Sequence, residues 1–160
     1  MNAFIAEFIG TALLIILGDG VVANVVLSKT KGNNSGWIVI TFGWAIAVFT
    51  GVFASVKLGG GGHLNPAVTL ALAYLGDFDW ANVGTYIAAQ MTGAFTGAVV
   101  VWFAYQQHFS ATDDADGKLA VFCTAPAIRS NVSNLITEII GTMVLVLGAK
   151  LMTAPAVKLG

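Results

Sequence analysis

The residues of this 160-residue chain that could do chemistry gather in one short segment. Asn65 follows four glycines, Gly59 to Gly62, with His63 and Leu64 between, and is followed by Pro66 and Ala67. A carboxamide offers N–H donors to an oxygen-bearing partner. Pro66 suits the first position of a helix, where its missing N–H is not needed and its fixed φ helps. A helix starting there would add roughly half a positive charge beside Asn65. An asparagine in this place is equally a good helix N-cap, and the two roles are compatible. Hydrogen bonding to neutral oxygens is the chemistry on offer, not bond-breaking. The chain has no nucleophile–base pair and no metal-ligand spacing, and His63 and His108 are its two histidines. It is not expected to be an enzyme, and no cofactor or metal is expected.

The surroundings of that segment are apolar. Hydrophobic residues make up 57% of the chain and charged residues 9%, against about 25% charged in ordinary soluble domains, and the mean hydropathy is +0.83. A chain of this size could not hide so much apolar surface from water. Four runs can each cross about 30 Å of hydrocarbon at roughly 20 residues: Ala3–Val26, Trp37–Val56, Val83–Tyr105 and Val132–Met152. The first has no basic residue before it and is too long for a signal peptide, so it reads as a retained span. A net charge of −1 gives no reason to expect nucleic acid. Lone Cys123 reads as a small packed residue, and Asn33 and Asn131 begin sequons that read as chance.

Pro66–Leu75 is apolar but only about half a bilayer long, and the glycines before it oppose regular helix. A glycine-rich stretch feeding a half-length helix predicts a re-entrant loop lining a cavity. A surface loop with a surface helix is the alternative on physics alone. The connectors are Ser28–Gly36, Gly76–Asn82 and Gln106–Asn131, the last read as a solvated acidic loop. Basic residues on the two sides do not settle orientation.

Ala6-Glu7-Phe8-Ile9-Gly10-Thr11 aligns with Thr137-Glu138-Ile139-Ile140-Gly141-Thr142 at an offset of 131. This predicts a duplicated unit of three spans and one half-helix, which must insert in opposite senses. Residues 1–131 would be the first repeat, with half-helix 66–75 and outer loop 106–131. Residues 132–160 would be the first helix of the second. The same offset puts a partner for Asn65 at about position 196, so the rest of the second unit is expected to be missing. Glu7 and Glu138 are intramembrane carboxylates, functional by default. Asp19 lies nearer a helix end and is expected to reach the interface. Gly93 and Gly97 predict close helix contact.

These motifs, with Gln90, Gly93 and Gly97, resemble the major intrinsic protein (aquaporin) family over the whole chain. Gly18–Asn24 and Ser35–Ile40 resemble its bacterial glycerol facilitators, in particular those of lactic acid bacteria. The resemblance implies an all-α polytopic membrane fold, an aquaporin-like inverted repeat with four spans and one half-helix here. It implies a homotetramer in a bacterial plasma membrane, surrounded by lipid, and a passive channel for glycerol, other small neutral solutes and water. Gly61, Gly62 and His63 would supply a ladder of carbonyl acceptors leading past Leu64 to Asn65, Pro66 and Ala67. The His63 side chain would be structural. Glu7 and Glu138 would hold re-entrant loops by accepting their N–H groups. Trp44 would be the aromatic of the outer constriction if the glycine run carries one residue more than the usual family spacing; Phe42 competes for the role if that extra residue belongs elsewhere. Readings kept open beside the channel are a secondary transporter, which also uses broken helices, and a non-conducting fragment.

Overall fold

The computed structural model describes residues 2–151, which form seven helices joined by turns, with no strand among them. Met152 of the fourth run and Lys158 lie outside the described residues. The helices are α1 (Ala3–Val26), α2 (Trp37–Lys57), α3 (Pro66–Tyr74), α4 (Trp80–Ala104), α5 (Gln106–Ala111), α6 (Ala115–Ala120) and α7 (Asn131–Leu151). Local chemistry sets their starts. The Asn2 side chain accepts from Phe4 N at 3.0 Å and opens α1. The Asp79 carboxylate accepts from Ala81 N at 2.9 Å and starts α4 three residues before the Val83 boundary expected from hydropathy. Such an N-cap satisfies a donor that the helix leaves orphaned.

Helices α1, α2, α4 and α7 are long and apolar enough to cross a membrane. The first packs between the next two. Contacts at Gly10–Gly51, Gly18–Trp44 and Val21–Gly43 run in opposite directions along α1 and α2, so this pair is antiparallel. Gly93 meets Phe8 and Gly97 meets Ala12 and Ile15, so α4 runs parallel to α1. The end of α2 and the start of α4 therefore share the side on which α1 begins. The chain between them must leave and return on that side.

At the other end, α5 and α6 fold over the bundle. Phe109 and Val121 bury against Ala23, Leu27 and Val101. His108 Nδ1 donates to Ser28 O at 3.1 Å, and Thr112 Oγ1 accepts from Ser28 N at 2.9 Å. The segment read as a solvated loop is thus partly helical and partly buried. Its acidic residues obscured this, yet Asp114 caps α6 by accepting from Asp116 N at 3.1 Å. Asp19 is 6% exposed, in a part of α1 enclosed by its neighbours.

α7 buries none of its residues. It touches α3, and Lys150 pairs with Asp77, an exposed ion pair worth little by itself.

A Cβ on Gly93 would stand 2.5 Å from the Phe8 carbonyl oxygen, whereas one on Gly20 would meet nothing within 4 Å. Gly93→Val is expected to force α1 and α4 apart at about 1–3 kcal/mol. Thermal unfolding in detergent should show a clear loss for Gly93→Val and almost none for Gly20→Ala.

Candidate functional site

The turn from α2 into α3 is built by glycine. Gly59 and Gly62 have φ of 89° and 68°, and Leu64 follows at 52°, a left-handed conformation that is uncommon outside glycine. These reversals bend the chain back between the long helices. The Leu64 side chain then enters a slot left by Gly10 and Gly51. A Cβ on either glycine would come within 2.9 Å of a Leu64 methyl carbon. Gly10 stands about 10 Å along α1 from its first residue, so the segment penetrates well below the helix ends. From there α3, nine residues or about 14 Å long, leads back towards the start of α4. This is a re-entrant hairpin, not a surface loop.

Irregular backbone at such depth needs partners, and Glu7 supplies them. Its side chain is fully buried. Oε1 accepts from Ser55 Oγ at 2.7 Å and His63 N at 3.1 Å. Oε2 accepts from Leu64 N at 2.9 Å and Gln90 Nε2 at 3.0 Å. Four donors fill the acceptor positions of a carboxylate. Ser55 Oγ in turn accepts from Gly62 N at 3.2 Å. Glu7 from α1 and Ser55 from α2 thus accept from three consecutive amides, Gly62 to Leu64, while Gln90 from α4 donates to the Glu7 carboxylate. Thr69 closes the arrangement on α3. Its Oγ1 accepts from Gln90 Nε2 at 2.9 Å and lies 3.1 Å from both Asn65 O and His63 Nδ1.

Asn65 caps α3, its Oδ1 accepting from Ala67 N at 2.8 Å. That bond fixes the carboxamide with its NH2 directed away from the helix, and the NH2 has no partner among the described residues. Gly61, Gly62, His63, Asn65, Pro66 and Ala67 retain access to the surface, while Leu64 is buried as the wedge. The His63 ring is framed by Phe78 and Tyr86, with centroids 4.7 and 4.8 Å away.

The remaining expected residues lie elsewhere. Trp44 is half-buried, and its six-membered ring fills the place where a Cβ on Gly18 would stand; its indole N–H has no partner among the described residues. Phe42 is 69% exposed. Glu138 is exposed on α7, and its side chain makes no hydrogen bond among the described residues. The structure brings Glu7, but not Glu138, to the glycine-rich segment. Ser55 had escaped the sequence reading. The available signal was a hydroxyl inside an apolar span, the type of residue that polar-in-membrane reasoning selects.

Comparison with known proteins follows the same lines. The sequence model described as "Major intrinsic protein" matches residues 1–159. A probable glycerol uptake facilitator protein of Thermotoga maritima is 59% identical over 92% of this chain and 63% of its own length. Glycerol uptake facilitator proteins of Streptococcus pneumoniae (strain R6) and Bacillus subtilis are 56% and 52% identical, each over 92% of this chain and over 62% and 54% of their own lengths. The chain therefore spans somewhat over half the length of these relatives.

Replacing Glu7 by Gln would turn an amide NH2 toward donors that now meet a carboxylate. The unsatisfied groups should cost about 1–3 kcal/mol. Hydrogen exchange in lipid nanodiscs is expected to speed up at the His63 and Leu64 amides by about tenfold or more, with α1 amides beyond Thr11 unaffected. Unchanged protection at His63 and Leu64 would show that Glu7 does not hold the segment.

Proposed function

The chain belongs to the major intrinsic protein family, and we propose that it contributes to a passive transmembrane path for glycerol, other small neutral solutes and water. The observation that carries this reading is Asn65. Its oxygen is committed to the α3 backbone, so its NH2 is free for the oxygen of a passing solute. The positive end of α3 reinforces that preference and opposes cations and protons. The carbonyls of Gly61, Gly62 and His63 would supply acceptors leading to it, with Pro66 and Ala67 completing the wall and buried Leu64 wedging the segment in place behind it. Relatives named as glycerol uptake facilitators support glycerol as a permeant.

In this reading Glu7 keeps the carbonyls facing the path, and Glu138 would serve a second re-entrant loop in the same way. The repeat seen at Glu7 and Glu138 supports an inverted-repeat plan, with residues 1–131 as one unit and 132–160 opening the other. Trp44 would present an indole face and N–H to the solute at the outer constriction, where an amphipathic ring suits a polyol. The setting would be a bacterial plasma membrane, with the protein a homotetramer in lipid.

Proteoliposomes subjected to a glycerol gradient provide the test. Rapid reswelling without any ion gradient is expected, with no accompanying ion current. Trp44→Ala should change the ratio of glycerol to water permeability by about tenfold, equivalent to about 1.4 kcal/mol. Flux that requires a sodium or proton gradient would instead mark a secondary transporter.

A further inference from the structure

The proton count around Thr69 leads to an assignment for His63. Thr69 Oγ1 is fully buried and has three polar neighbours: Gln90 Nε2 at 2.9 Å, Asn65 O at 3.1 Å and His63 Nδ1 at 3.1 Å. A hydroxyl has one hydrogen to give and two lone pairs. Asn65 O is a carbonyl and can only accept, so the hydroxyl hydrogen goes there. Gln90 must donate. Its Nε2 also faces Glu7 Oε2 at 3.0 Å, and turning the amide over would set oxygen against a carboxylate. The consequence is visible in the structure: Gln90 Oε1 is buried without a partner. The third neighbour, His63 Nδ1, then has a lone pair to meet and must carry a hydrogen. Only this arrangement satisfies all three contacts.

We infer that Glu7, Gln90 and Thr69 hold neutral His63 as the Nδ1–H tautomer, leaving its Nε2 lone pair as an additional acceptor for the hydroxyl group of a permeant. The placement of Nε2 fits this role. It has no partner among the described residues, and it lies beside exposed Gly61, where a Cβ on that glycine would be 2.9 Å away. Phe78 and Tyr86 frame the ring and limit its rotation. The segment would thus offer one imidazole acceptor ahead of the carbonyls and the Asn65 donor. Gln90 and Thr69 act as positioning residues, through His63. The inference rests on the reading that this segment lines a solute path.

Solid-state nitrogen NMR on the ¹⁵N-histidine-labelled protein in bilayers tests it, with His108→Gln removing the other histidine signal. At a pH where the ring is neutral, wild type is expected to show a protonated Nδ1 and an unprotonated Nε2. Added glycerol should shift the Nε2 resonance in a saturable way. Thr69→Val should lose the Nδ1–H preference and the glycerol response, and Thr69→Ser should restore both. A protonated Nε2 in wild type, or an Nε2 resonance indifferent to glycerol, would overturn the assignment. Glycerol flux with either of those spectra would sink this inference alone. Its expected spectra with no flux would count against the facilitator reading instead.

Discussion

The carboxylate of Glu7 is the interaction on which the rest of the site depends. A re-entrant hairpin places backbone N–H groups where neither water nor a regular helix satisfies them, and such groups are expensive to leave unpaired. Glu7 answers two of them directly and a third through Ser55. Burying a charge is itself costly unless it is fully hydrogen-bonded, and Gln90 and Ser55 complete that requirement from α4 and α2. Removing the carboxylate would leave several donors unsatisfied at once. The demand is mutual: the segment needs an acceptor, and the charge needs donors.

Packing supplies the room for this exchange. Gly10 and Gly51 let α1 and α2 approach closely enough to grip Leu64, while Gly93 and Gly97 draw α4 onto the other side of α1. A trans peptide sets its C=O opposite its N–H, so with the N–H groups of Gly62, His63 and Leu64 turned toward Ser55 and Glu7, the carbonyls of Gly61, Gly62 and His63 are left for the opposite side. The Asn65 cap fixes a donor at the end of that row. An acceptor row ending in a donor would follow from satisfying the backbone, with no chemistry added for the solute's sake.

Much of this was legible in the sequence, for identifiable reasons. The span boundaries followed hydropathy because lipid imposes a length, and α3 was recognised by being too short to cross and by opening with Pro66. Glu7 stood out because a carboxylate inside an apolar helix is rare. Other features were hidden because they depend on several elements meeting. Ser55 and Thr69 are ordinary residues until the fold brings them together around Glu7 and Gln90. The α5–α6 cover was hidden by its aspartates, one of which is spent on capping. Glu138 shows the reverse. Its sequence context mirrors that of Glu7, yet on α7 it meets none of the donors that give Glu7 its role.

The central claim is that the segment ending at Asn65 lies at membrane depth and faces water. Cysteine accessibility at Ala67 measures both conditions in the protein as it sits in a bilayer, with Cys123→Ser removing the native thiol. Ala67→Cys should react with a small, water-soluble thiol reagent and should be slowed by glycerol, while a lipid-confined quencher should not reach a probe attached there. Labelling only by a reagent dissolved in the lipid would contradict the account, as would aqueous labelling at the rate of a free surface thiol with no effect of glycerol.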